Sequence, residues 1–178
     1  MAKVILNKKQ LELTLQRLTL EIIENFKDFK DVAIIGLQPR GIILSRKLQK
    51  MLQKQLSADN QPLYGELDIT FYRDDFGRRA ETLTPSKLDI SFDIENKRII
   101  LIDDVLFTGR SIRAALDAIS DYGRPKAVEL MTLIDRRYNR ELPIEADYVG
   151  LTVDTRGSGL KVKVDLLEKE EVLFIENK

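Results

Sequence analysis

The stretch Ile99-Ile100-Leu101-Ile102-Asp103-Asp104-Val105-Leu106-Phe107-Thr108-Gly109-Arg110-Ser111 decides the fold. After Arg98, its aliphatic run suits a short strand buried on both faces, as parallel sheets require. Two adjacent carboxylates stand just beyond that strand. Thr108 to Ser111 form a small polar turn, and Ile112, Ala115, Leu116 and Ile119 then recur at helical spacing, which predicts a helix over Ser111 to Tyr122. In an open α/β sheet a ligand binds at the carboxyl ends of the strands, so this turn is where a site belongs. The turn aims backbone N–H groups and two hydroxyls at one point, and the helix adds its positive end. Gly109 lets the backbone approach closely, so a phosphate dianion fits there. Side by side, Asp103 and Asp104 accept hydrogen bonds from a vicinal diol and draw in Mg²⁺. Diol and phosphate on one ligand describe a ribose 5-phosphate. Alone, an acidic pair after a strand is more often a solvated cap, and Thr-Gly-x-Ser is usually a turn. Their joint occurrence behind an apolar strand and before a helix carries the inference. Neither a Walker loop nor a G-x-G-x-x-G fingerprint occurs in the chain, so triphosphate and nicotinamide chemistries lose their main support.

Working outward, Asn7 with Gln10 resembles a capping box, and Leu11, Leu15, Leu18, Ile22 and Phe26 follow at helical spacing, predicting a helix from Lys8 to about Asp28. A buried strand covers Val32 to Gly36. Beyond the turn at Pro39 and Gly41, a second helix ends near Leu56. Tyr64 to Tyr72 alternates Leu67, Ile69 and Phe71 against polar residues, the period of a half-buried strand. Arg73 to Glu95 has no clean period. Gly123 closes the helix after the acidic pair, with Pro125 beyond. Ala127 to Ile134, Tyr148 to Val153, Leu160 to Leu166 and Val172 to Ile175 read as further strands. The expected fold is α/β: a mainly parallel twisted sheet with helices on both faces, plus a small hood from the later strands. Residues 1–178 are expected to form a single domain.

Composition narrows the chemistry. Lys plus Arg and Asp plus Glu each number 29 among 178 residues, so the net charge is zero and any nucleic-acid contact must come from a local patch. The absence of cysteine and histidine excludes disulfides, thiolate or imidazole metal sites, a cysteine nucleophile and a Ser-His-Asp triad. A metal, if used, is hard and oxygen-bound. No apolar run approaches a membrane span or a signal peptide, and the chain is expected to be cytoplasmic.

The strand, acidic pair and Thr-Gly loop resemble the signature of the type I phosphoribosyltransferases for phosphoribosyl pyrophosphate. More narrowly, Gly65 to Asp75, Asp104 to Arg110, Asp135-Arg136, Arg140 to Ile144 and Ala146 to Gly150 resemble the PyrR group over nearly the whole chain. That resemblance implies a bifunctional pyrimidine-operon regulator: it binds messenger RNA, and it is a uracil phosphoribosyltransferase making UMP and pyrophosphate with Mg²⁺. The alternatives are a hypoxanthine-type purine phosphoribosyltransferase, or an RNA-binding regulator without significant turnover. Family members suggest a homodimer or higher homo-oligomer.

The same resemblance assigns roles. Asp103 and Asp104 hold the ribose hydroxyls, directly or through Mg²⁺, and stabilise a ribosyl cation. Thr108, Gly109, Arg110 and Ser111 wrap the 5-phosphate. Leu37, Gln38, Pro39 and Arg40, within Gly36 to Gly41, correspond to the pyrophosphate loop. A non-proline cis peptide is expected there. Arg73, with Asp74, Asp75, Arg78 and Arg79, falls where the family has a lid over the reacting bond. Asp135, Arg136 and the segment Ile144 to Gly150, with Tyr148 and Val149, correspond to the base-binding hood. Arg136, Arg137 and Arg140 are the candidate RNA face, with Tyr138 for stacking and Lys161 and Lys163 as a second cationic group. This chain is one residue longer at Arg136 to Asn139 than the family pattern, and it carries Glu145 where members have a basic residue.

Overall fold

The computed structural model describes residues 2–72 and 90–176. Its elements are β1 (Lys3–Leu6), α1 (Lys8–Asn25), β2 (Val32–Leu37), α2 (Arg40–Gln55), β3 (Leu63–Leu67), β4 (Arg98–Leu106), α3 (Arg110–Ser120), β5 (Ala127–Asp135), β6 (Tyr148–Thr152), β7 (Leu160–Asp165) and β8 (Glu171–Glu176). Short 3-10 turns cover Thr70–Tyr72 and Arg137–Asn139. Five strands form a parallel sheet in the order β3-β2-β4-β5-β6, and β1-β8-β7 form a small antiparallel sheet. The expected α/β architecture and its hood are therefore present.

Packing follows from strand alternation. Ile100 and Ile102 share a core with Leu18 and Ile22 of α1 and Leu44 and Leu48 of α2. Ile99 and Leu101 face the other way, into a core with Ile112, Ala115 and Ile119 of α3. Both faces are thus covered, so the central strands can be apolar throughout. The capping box at the start of α1 is present, Asn7 and Gln10 each accepting the other's backbone N–H at 3.0 Å. At Gly41 a Cβ would sit 2.3 Å from the Ile102 carbonyl oxygen, so only glycine lets the first turn of α2 lie this close to β4.

Five expectations change. Strand β4 does not stop before the acidic pair: it runs to Leu106, because its pairing with β5 continues to Leu106 opposite Asp135 after its pairing with β2 has ended at Gly36 opposite Ile102. The third strand ends at Leu67 rather than Tyr72. There the Asp68 carboxylate accepts the Thr70 N–H at 2.8 Å, a side-chain turn that competes with strand pairing although the apolar alternation persists. Strand β1, which the periodicity did not give, pairs with β8 at the far end of the chain. Tyr148 to Gly150 belong to the edge strand β6 of the main sheet and not to the hood. The cis peptide in the loop after β2 is Gln38–Pro39, a proline bond, for which the cis form is far less costly than for other residues.

No helix among the described residues is long and apolar enough to cross a membrane.

Candidate active site

A cavity of about 430 Å³ opens where β2 and β4 diverge at their carboxyl ends. Its floor is Asp103, Asp104 and Val105. One wall is Leu37, Gln38, Pro39 and Arg40; the other is Phe107, Ser111 and Arg136, with Ile69 beside them, and Lys161 and Val162 of β7 close the top. Divergence of two parallel strands is what makes such a crevice in an open α/β sheet.

The acidic pair is held by its own strand. Asp103 accepts the Asp104 backbone N–H at 2.9 Å. Asp104 is buried, and among the described residues its Oδ2 has no hydrogen-bond partner and its nearest cation is Arg40 at 3.9 Å. Burial pushes the Asp103 carboxyl well above the ordinary carboxylate range, and the Asp104 charge pushes it further. Asp104 is raised by burial too, with Arg40 opposing. An unbonded carboxylate oxygen in a polar crevice is expensive for the protein alone. It is suited to a ligand hydroxyl or a hard cation, so the pair fits Mg²⁺ by donor type. Among the described residues no cluster of three or more acidic side chains exists, so a cation there would complete its shell from substrate oxygens and water.

Beside the floor, Gly109 caps α3 with φ at 91°, a conformation other residues rarely adopt. Gly109 itself offers no side chain to this helix; the Arg110 N–H reaches the Thr108 hydroxyl at 3.4 Å, and the next N–H groups and the positive end face the turn. The segment 141–144 behind it braces the loop: Glu141 and Leu142 donate to the Thr108 carbonyl at 3.0 and 3.2 Å, and a Cβ on Gly109 would press on Ile144 at 3.3 Å. Arg110 points away, to Glu141 at 2.6 Å.

The structure brings together Leu37, Gln38, Pro39, Arg40, Asp103, Asp104, Ser111 and Arg136, with Thr108, Gly109 and Arg110 in the adjoining turn. It does not bring Tyr148 and Val149 to the cavity. Tyr148 lies opposite Met131 near the start of β6, its ring is buried in the core, and its hydroxyl donates to Glu129 at 2.7 Å. The Val149 carbonyl accepts from Arg17 at 2.9 Å on α1. Arg73, Asp74, Asp75, Arg78 and Arg79 lie outside the described residues. Arg140 is no solvated cation: its guanidinium donates to the carbonyls of Ile144 at 2.8 Å and Phe107 at 2.6 Å and pairs with buried Asp135. Arg137 lies 3.1 Å from Glu145. Arg136 is buried, its guanidinium 3.9 Å over the Phe107 ring, and burial pushes its pKa down. Phe107, Val162 and Ile69 are cavity residues that the sequence reading missed, since each reads locally as an ordinary apolar position.

Sheet order, crevice and acidic pair define a phosphoribosyltransferase, and the family model of the phosphoribosyl transferase domain matches residues 1–165, so the chain belongs to that family. Within it the chain belongs to the PyrR family. It is 45% identical to the bifunctional protein PyrR of Caldicellulosiruptor bescii over 98% of this chain and 94% of that protein. It is 47% identical to the bifunctional protein PyrR of Elusimicrobium minutum over 87% and 85%. Among solved structures, the hypoxanthine phosphoribosyltransferase of Trypanosoma cruzi superposes with a TM-score of 0.73 at 14% identity, covering 99% and 97% of the two chains. At that identity the likeness speaks to the fold alone.

Proposed function

We propose that this protein is a uracil phosphoribosyltransferase, making UMP and pyrophosphate from uracil and phosphoribosyl pyrophosphate. The observation that carries the reading is the buried Asp104 Oδ2, unbonded beside Asp103 on the floor of a crevice whose rim is a helix start. In the reaction the bond from the ribose anomeric carbon to pyrophosphate breaks, the bond to N1 of uracil forms, and the N1 proton leaves. Positive charge develops on the ribose as the first bond lengthens, and the acidic pair below it opposes that charge in a poorly solvated site. The same carboxylates accept hydrogen bonds from the ribose hydroxyls and orient the sugar. Backbone N–H groups at Thr108 to Ser111 hold the 5-phosphate, and the loop Leu37 to Arg40 faces the pyrophosphate. Asp103 and Asp104 would hold Mg²⁺, which would supply charge to neutralise the leaving pyrophosphate. Arg136, with Phe107 beneath it, contacts the base.

A base panel tests this. UMP formation from uracil, with little product from hypoxanthine or guanine, is the expected result. Nucleotide formation from the purines and none from uracil would overturn it in favour of a purine enzyme.

The relatives' shared designation as bifunctional supports a second ligand, which we read as pyrimidine-operon messenger RNA sensed together with UMP. With Arg136 and Arg140 engaged inside the fold and Arg137 paired with both Glu145 and Asp135, the exposed Lys161 and Lys163 are, of the candidate cations, those left for phosphate contacts. Affinity for a stem-loop should then fall with salt by a slope of about 0.7 per phosphate contact. No binding at low salt with UMP present would leave the enzyme alone. Residues 1–178 are read as one cytoplasmic domain that works as a homodimer or higher homo-oligomer, which sedimentation would check.

A further inference from the structure

Arg136 is held from four directions, three of them at its guanidinium. Its backbone N–H donates to the Leu106 carbonyl at 2.9 Å, tying it to the end of β4. Its plane lies on Phe107, Nη2 donates to the Leu160 carbonyl at 3.1 Å, and Nε donates to the Thr155 hydroxyl at 2.9 Å. Nη1 has no hydrogen-bond partner among the described residues, and Arg136 lines the cavity.

Thr155 is buried, and its hydroxyl has one proton and can either give or take. That proton goes to the Asn139 side-chain oxygen at 3.0 Å, which leaves a lone pair turned to the Arg136 Nε–H. Without Asn139 the hydroxyl is free to rotate its proton toward the arginine, where two donors would meet. Asn139 is itself fixed, its N–H donating to the Arg136 carbonyl at 3.0 Å across the 3-10 turn. The relay is closed: Arg136 sets the turn, the turn sets Asn139, Asn139 polarises Thr155, and Thr155 orients Arg136. It crosses from the loop after β5 to the loop before β7, so the wall and the roof of the cavity are locked at one side chain.

We propose that Asn139 and Thr155 are positioning residues that fix the pose of Arg136 and so set the affinity of the site for its base. This rests on the reading of Arg136 as a base contact. Neither residue lines the cavity. Their effect is orientation: a charged donor held in one rotamer loses less freedom on binding than one that must be ordered each time.

The test is steady-state kinetics on the full chain. Thr155→Val keeps the shape and removes the hydroxyl; Asn139→Ala removes the polarising group from a half-buried loop. Both should raise KM for uracil about tenfold while kcat and KM for phosphoribosyl pyrophosphate stay within about twofold. Thr155→Ser, which restores the hydroxyl, should return KM to the parental value. If Thr155→Val does not fold, Asn139→Ala carries the same test. Parental KM for uracil in both variants would overturn the proposal, as would equal losses in kcat with no rescue by serine. A parent chain that makes no UMP from uracil overturns the base reading and this inference with it, whereas an active parent with unmoved variants overturns the inference alone.

Discussion

At the amino end of the central sheet, Glu129 of β5 gives one oxygen to Arg98 and the other to the Tyr148 hydroxyl at 2.7 Å, and Asn25 donates to that hydroxyl at 3.3 Å. Arg98 in turn lies 4.2 Å over the Phe26 ring. At the carboxyl end, Asp104 of β4 is more deeply buried than Glu129, yet among the described residues its Oδ2 has no hydrogen bond and its nearest cation, Arg40, is 3.9 Å away. Both acids sit on neighbouring parallel strands within the same core. The first cluster is complete within the protein, and burial together with the Glu129 charge drives the Tyr148 hydroxyl up to about 12. The second is incomplete, which is the mark of a group kept for a ligand. The contrast teaches that burial of an acid alone does not locate the site; an unbonded oxygen on the floor of a crevice does, whereas the equally unbonded Asp135 Oδ2 lies outside that crevice beside Arg137 and Arg140.

That contrast can be broken by exchanging what each end loses. The largest effect is expected at the carboxyl end: Asp103→Asn or Asp104→Asn should cut turnover by roughly one to two decades, the loss of one charge-assisted contact to the reacting ribose. The urea midpoint of Asp104→Asn should stay level or rise, because a buried unbonded charge is removed. Parental rates in both variants at saturating Mg²⁺ would take the pair out of catalysis.

At the amino end the sign reverses. Glu129→Gln should lower stability by about 1 to 2 kcal/mol, since Arg98 loses its charge partner, and leave turnover within about twofold. A tenfold drop in kcat with unchanged stability would mean that the two ends are not separate. Tyr148→Phe is a finer probe of the same cluster. Removing its hydroxyl should cost about 1 kcal/mol in denaturant unfolding with KM for uracil unmoved, and a raised KM would restore Tyr148 to the base site.

The smallest effect concerns an acid at the surface. Glu170 is paired with Lys8 at 2.6 Å and Lys47 at 2.5 Å, and bonds from Lys47 and Lys8 hold its carboxyl down at about 2, against an ordinary 4.5. A carboxyl lowered by folding adds stability above its unfolded pKa, and that stability is lost as pH falls from there through the folded value. The melting temperature of Glu170→Gln should therefore fall less steeply than that of the parent between pH 4.5 and 2, by an amount that salt reduces. Superimposable pH curves would remove the pair from the stability of the joint between the small sheet and the two helices.

Much of the fold was legible because it is local. The Asn7 and Gln10 cap, the apolar strands Val32 to Gly36 and Arg98 to Ile102, and the helix stripes are each signalled within one element. What was not legible depends on partners distant in sequence. Four residues, Lys3–Leu6, carry no periodic signal, and their partner β8 lies at the other end of the chain. The overlong third strand has the right alternation but contains Asp68, whose competing turn shows only in three dimensions. At the site, the acidic pair and Thr-Gly turn were readable because the ligand chemistry is written in adjacent residues. The arginines were not: Arg136 and Arg140 look like a surface patch until Phe107, Thr155 and Asp135 fold against them.

The pairing of β1 with β8 also sets an order of events during synthesis. A translating ribosome emits the chain at roughly 5 to 20 residues per second, so β1 emerges about 10 to 30 s before the strand it needs. Through that interval the parallel sheet, helices and acidic floor can assemble, but β7 lacks the one strand it pairs with among the described residues, and the roof bearing Lys161 and Val162 cannot close. A nascent chain would thus present an open crevice while still tethered, and become competent to hold its base only after Val172 has cleared the exit tunnel.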